Sequence, residues 1–228
     1  MLLTCCAVAS AVDIPDSVWS QSNVDMTEVQ KFDLSSLLLS TAEGKQGFTL
    51  MVDFTGVSAN DAQSAFWIGT SDTVAYKNSA ATLVWSYQPK LANAENGSSN
   101  KNVVTLENGE TYVSDGTVAG ASSSNVTTTY FITSYEGTAY LYQKGKTEGV
   151  VQMFGNAGMI AADVKYLQIS NWAQTATSQS SGTANFTLFE GVLSTEQMSQ
   201  LVYPIPEPAT ATLSLMALCG LAARRRRK

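Results

Sequence analysis

Between residues 47 and 54 the chain reads Gly-Phe-Thr-Leu-Met-Val-Asp-Phe. Phe48, Leu50, Val52 and Phe54 fall on one face at the two-residue period of a β-strand. Shorter apolar or alternating runs recur at 65–69, 83–87, 103–106, 110–113, 127–135, 138–143, 165–170 and 183–189, each predicted to be a strand. Residues 12–45 hold Trp19, Phe32 and Leu37-Leu38-Leu39 and are expected to supply one or two leading strands. Polar stretches separate the runs: a loop over 58–63, one rich in Asn, Gly and Ser over 90–101, and one of small residues over 114–125. Glu107-Asn108-Gly109 and Glu136-Gly137 mark two hairpins, since Gly and Asn tolerate the positive φ of a tight turn. Lys144-Gly145-Lys146 turns the chain again.

One helix is predicted, over 194–201. Ser194 can cap it, and Gln197 three residues later completes a capping box. Leu193 and Met198 have the spacing of a hydrophobic staple across that cap. About a dozen short strands and one terminal helix predict an all-β, antiparallel β-sandwich rather than an α/β domain. The span exceeds a typical immunoglobulin module, which favours a jelly roll.

The end of the chain follows a different pattern. Pro206, Glu207 and Pro208 precede an uncharged run over 209–223, and Arg224, Arg225, Arg226, Arg227 and Lys228 close the sequence. As a helix the run would span roughly 22 Å, short of the ~30 Å hydrocarbon core, yet flanking arginines can snorkel and the bilayer can thin. It is expected to be a single transmembrane sorting helix, with its cations held in the cytoplasm and the preceding domain outside. The prolines keep the junction extended and open to a protease. An ordinary tail anchor behind a chance Pro-Glu-Pro is the plainer alternative; no Leu-Pro-x-Thr-Gly motif precedes the run, which disfavours a sortase signal.

The order Pro-Glu-Pro, apolar segment, terminal basic cluster resembles the PEP-CTERM sorting signal of Gram-negative bacteria. The resemblance covers residues 204–228. It implies an exosortase-type processing protease as partner, and a destination at the cell surface or in the extracellular matrix. At the other end, residues 2–8 are apolar and Ala9-Ser10-Ala11 fits a small-x-small cleavage site, so 1–11 reads as a signal peptide. It is short and lacks a basic start, which points to an initiation site further upstream. Residues 12–203 then form the folded domain.

Composition narrows the function of that domain. Residues 12–208 carry 8 lysines and no arginine against 19 acids, a net charge of −11, which disfavours nucleic acid as a partner. The chain has no His, which excludes Ser-His-Asp and Cys-His catalysis and every His-ligated metal. Cys5 and Cys6 lie in the leader and Cys219 in the tail, so the domain has neither disulfide nor thiol nucleophile. Sequons at Asn96, Asn125 and Asn185 carry little weight in a bacterial protein.

Three segments in order resemble a LamG-like, concanavalin A-like domain. The first is the strand 47–54. The second runs from Tyr130 through Ser134-Tyr135-Glu136-Gly137-Thr138 and Leu141-Tyr142 to Lys144-Gly145-Lys146. The third, 183–201, ends in a strand followed by Gly191, Leu193, Ser194, Glu196 and Leu201. The family's turn commonly carries Asp where Lys144 stands here. The resemblance implies a fold that commonly binds carbohydrate, with aromatic rings stacked on sugar faces, and Trp85, Tyr87, Tyr135 and Trp172 are the candidate rings. A role as core aromatics is the plainer reading of the same four residues. Calcium is the cation such sites use, and Asn60, Asp61, Asp72 and Asp115 are its candidate ligands; turn formation explains each equally. Related glycanases use a Glu-x-Asp-x-x-Glu strand, and no such spacing occurs. Glu107 and Glu110, the nearest pair, differ in strand parity. The chain is therefore expected to be a non-enzymatic lectin-like surface protein binding carbohydrate or an envelope component. A structural matrix protein is the alternative, and a glycan-active enzyme the least favoured reading.

Overall fold

The computed structural model describes residues 12–59, 66–70, 85–88, 101–105, 111–113, 126–145, 147–158, 163–169 and 180–204. Residues 1–11, expected to be a signal peptide, residues 205–228, Trp172 and the four calcium candidates lie outside them. Among the described residues no helix is long and apolar enough to cross a membrane; the run over 209–223 is not among them.

Among the described residues the strands are β1 (Trp19–Asp25), β2 (Gln30–Asp33), β3 (Phe48–Ala59), β4 (Trp67–Gly69), β5 (Trp85–Gln88), β6 (Lys101–Thr105), β7 (Thr111–Val113), β8 (Val126–Tyr135), β9 (Thr138–Lys144), β10 (Val150–Gly158), β11 (Tyr166–Ile169) and β12 (Ser180–Glu190). They form two six-stranded sheets, ordered β1-β12-β3-β8-β9-β10 and β2-β11-β4-β5-β6-β7. Every pairing is antiparallel. One hydrophobic core takes side chains from both sheets: Phe48, Leu50, Val52, Phe54, Ile132 and Phe186 from the first, and Ile68, Leu167 and Ile169 from the second. This is the layering of a β-sandwich.

The alternation of β3 does what its sequence dictates, since Phe48, Leu50, Val52 and Phe54 are all fully buried. Their aromatic neighbours meet edge-on: Phe54 lies 5.9 Å from Tyr130 and Phe66 lies 5.3 Å from Phe186. β3 runs further than its alternation predicts. Ser58 and Ala59 continue the strand instead of opening a loop, because a register shift between Ser181 and Thr183 of β12 absorbs the break and pairing resumes at Ser58 and Ser181.

Both hairpins form. β6 pairs with β7, and β8 with β9. In the second, Glu136 and Gly137 both take positive φ, 48° and 67°, the two-residue turn whose twist matches the flanking strands. β10 appears in the structure without a prediction from sequence.

The helix, α1 (Thr195–Val202), closes the fold, with the predicted capping box intact. Ser194 Oγ accepts from the Gln197 backbone at 3.2 Å, and Gln197 Oε1 accepts from the Ser194 backbone at 2.8 Å. α1 lies on the outer face of the first sheet, where Phe131, Phe189, Leu193 and Met198 make a second, smaller core. Leu193 and Met198 thus meet as the staple spacing requires.

Candidate functional site

Parity along β8 and β9 decides what reaches the outer face of the first sheet. Tyr130 and Ile132 point into the main core, so Phe131, Thr133 and Tyr135 point outward. The register sets Thr133 opposite Tyr140 and Tyr135 opposite Thr138, so these four residues share one patch beside the 136–137 turn. Tyr135 and Tyr140 are diagonal neighbours, at a separation of roughly 7–8 Å for such positions.

Two backbone crossings wall this patch. Gly47 enters β3 at φ 71°, and a Cβ there would stand 2.1 Å from the Ser134 carbonyl oxygen, so only glycine lets the chain cross β8 this closely. Its carbonyl accepts from the Gly191 amide at 3.2 Å. Thr49 Oγ1 then fixes the loop into α1, donating to Gly191 O and accepting from the Leu193 amide, each at 2.9 Å. Gln46 and Val192 are thereby brought to the rim. The result is a half-open cleft of about 420 Å³, lined by Gln46, Thr133, Tyr135, Glu136, Thr138, Tyr140 and Val192.

The cleft combines aromatic faces with a few polar groups. Tyr135 is 42% exposed. Hydrogen bonding to the neighbouring Glu136 carboxylate, and that group's charge, raise its phenol above the usual range. Further along β9, burial pushes the Tyr142 phenol up, with a smaller contribution from Tyr140 beside it. Thr133 forms the floor, 1% exposed, and its hydroxyl has no hydrogen-bond partner among the described residues. A buried hydroxyl left so costs about 1–3 kcal/mol, and such groups in native domains usually face a water or a ligand.

A second cleft, of about 470 Å³, lies between α1 and the start of β10, lined by Val12, Val150, Glu196, Gln200 and Tyr203 among others. The first described residues are tied there to the last. The Val12 amide donates to Gln200 Oε1 at 2.7 Å, and Gln197 Nε2 donates to Asp13 O at 2.8 Å. Tyr203 donates to Gly145 O at 2.6 Å, with Lys144 Nζ 4.9 Å from its ring centre. Both ends of the domain therefore leave from the same face.

Of the four aromatic candidates, only Tyr135 has a described side chain, and it lines the first cleft. Trp85 and Tyr87 lie in β5, where the register sets Trp85 opposite the core residue Ile68; their side chains, like Trp172, are outside the described residues. Glu107 and Glu110 are outside them too. No group of three or more His, Cys, Asp or Glu gathers among the described residues. Sequence reasoning missed Thr133, Glu136, Tyr140 and Gln46. The outward parity of Thr133 with Tyr135 was a usable signal; the approach of Gln46 was not.

Residues 204–228 match the family described as the PEP-CTERM protein-sorting motif. That motif indicates export with a membrane-anchored C-terminal sorting signal in Gram-negative bacteria, and processing by an exosortase. No curated protein matches the chain. Among solved structures, domain 4 of AbnA, a GH43 extracellular arabinanase from Geobacillus stearothermophilus in complex with arabinotriose, is similar at 12% identity and TM-score 0.46, over 72% of this chain and 69% of that one. A GH54 α-l-arabinofuranosidase is similar at 10% identity and TM-score 0.45, over 79% of this chain and 45% of that one. The receptor binding domain of botulinum neurotoxin mosaic serotype C/D is similar at 13% identity and TM-score 0.40, over 82% of this chain and 50% of that one. Likeness at this level carries no argument about ligand or activity.

Proposed function

We propose that this chain is an exported, non-catalytic binding protein of the bacterial envelope. Its sorting tail delivers a LamG-like, concanavalin A-like sandwich to the cell surface or extracellular matrix, where it binds carbohydrate or another envelope component. The match of residues 204–228 to the sorting motif is the observation that carries this reading. The two-sheet sandwich fits the expected domain, and the exposed Tyr135 beside a cleft supports binding. The absence of His and of a paired-carboxylate strand supports a role without catalysis.

A ligand-free structural role is the second reading. Calorimetric or array binding to a panel of host and bacterial glycans, in calcium and in chelator, separates the two. A specific hit is expected, weakened by Tyr135→Ala, Trp85→Ala or Trp172→Ala. Uniform silence from folded protein would leave the structural role, and release of shortened glycan products would require an enzyme.

A further inference from the structure

We infer that the cleft at the β8–β9 turn is a calcium-independent site for a neutral sugar unit, one bearing no carboxylate, sulfate or phosphate. This rests on the binding role proposed above and gives that role a location and a ligand class.

The chemistry of the lining selects the ligand. Among the described residues that line it, Glu136 is the one carboxylate, and none is Lys or Arg. An anionic sugar would meet a like charge with no counterion among those residues, inside a domain, residues 12–203, already at net −10. A neutral sugar offers hydroxyls to the Glu136 carboxylate and to the Gln46 amide, which both donates and accepts. Its flat apolar face suits the rings of Tyr135 and Tyr140, which the register places as diagonal neighbours on one face of the sheet. Thr133 adds a second, independent observation, a hydroxyl almost wholly buried at the cleft floor and without a partner among the described residues. The volume of about 420 Å³ sits at the small end of ligand sites, roughly 300–1,000 Å³, which suits a chain end more than a long polymer groove. Calcium takes about 6–8 oxygens and favours several carboxylates, so a lining with one carboxylate does not call for it.

The test is calorimetry on the full chain in a detergent without a sugar headgroup, using cellotriose, mannotriose and galactotriose, with trigalacturonate as the anionic counterpart. At least one neutral trimer is expected to bind, unchanged in chelator, and about tenfold more weakly in Tyr140→Ala and in Thr133→Val. Thr133→Val must lose affinity without losing thermal stability, because the hydroxyl it removes bonds none of the described residues. Tyr135→Ala, at an exposed position, serves as the variant least able to disturb folding. Binding that none of the three substitutions alters, that prefers trigalacturonate, or that chelator abolishes would overturn this site and leave the binding role standing elsewhere. Silence towards every trimer and towards the wider glycan panel would remove both.

Discussion

The first sheet buries both of its faces, and it does so on different terms. Its inner face meets the second sheet through a continuous layer of large side chains, with Phe48, Phe54, Tyr130 and Phe186 all fully buried. Its outer face is covered in part only. α1 and the segment from Val12 to Ile14 shield Phe131 and Phe189, while at the turn end Thr133, Tyr135 and Tyr140 line an open cleft. The inner face is held by burial of apolar area, which is non-directional. The outer face is held by a few placed bonds, such as the Ser194–Gln197 cap and the Thr49 contacts to Gly191 and Leu193. Stability is concentrated on one side of the sheet, and the polar variety a ligand needs is on the other.

Substitutions should separate the faces by size of effect. Phe186→Ala removes a fully buried ring packed on Phe66 and should cost about 3–5 kcal/mol in denaturant unfolding. Met198→Ala, in the smaller cluster, should cost about 2–3 kcal/mol. Hydrogen exchange should report that second loss first in α1 and residues 12–14, with the inner strands still protected. Equal loosening of both faces would contradict the division. Ser194→Ala should cost about 1 kcal/mol, since the capping box loses its hydroxyl.

The smallest effect is electrostatic. The Tyr135 phenol is raised above its usual 10.0 by its bond to Glu136 and by the charge of that carboxylate. A raised folded pKa means the contribution is complete below the unfolded value and is lost as pH climbs through the folded one. The hydroxyl therefore stays a donor across neutral and mildly alkaline pH. Ultraviolet titration should find Tyr135 ionising above 10.0, and lower in Glu136→Gln. An unchanged titration would break the link between the two.

Elements that carry their own signal were legible in the sequence. The alternation of Phe48 to Phe54 gave a strand and its buried face, and the Ser194–Gln197 spacing gave the cap and helix. β10 was not legible, because two register shifts and the residues Gly155, Asn156 and Gly158 break its alternation. Sheet order was not legible either, since pairing β3 with β12 joins segments far apart in sequence, and no local pattern encodes it. The cleft was half legible. Tyr135 stood out as an aromatic beside a turn, but Gln46 and Val192 reach it only through the Gly47 crossing and the 191–193 loop. The consecutive apolar run Tyr130-Phe131-Ile132 did hold an unread signal, that of a strand covered on both faces.

Delivery to the surface is the central claim, and intact-mass measurement of the protein recovered from the outer surface of its cell tests it most directly. The account predicts a chain that has lost both the leader, residues 1–11, and the apolar run with its basic end, with the new C-terminus near Pro206, Glu207 and Pro208. In cells without the exosortase, the full tail should stay attached in the membrane fraction. A surface protein that still carries Arg224 to Lys228, or one whose processing is indifferent to the exosortase, would contradict it.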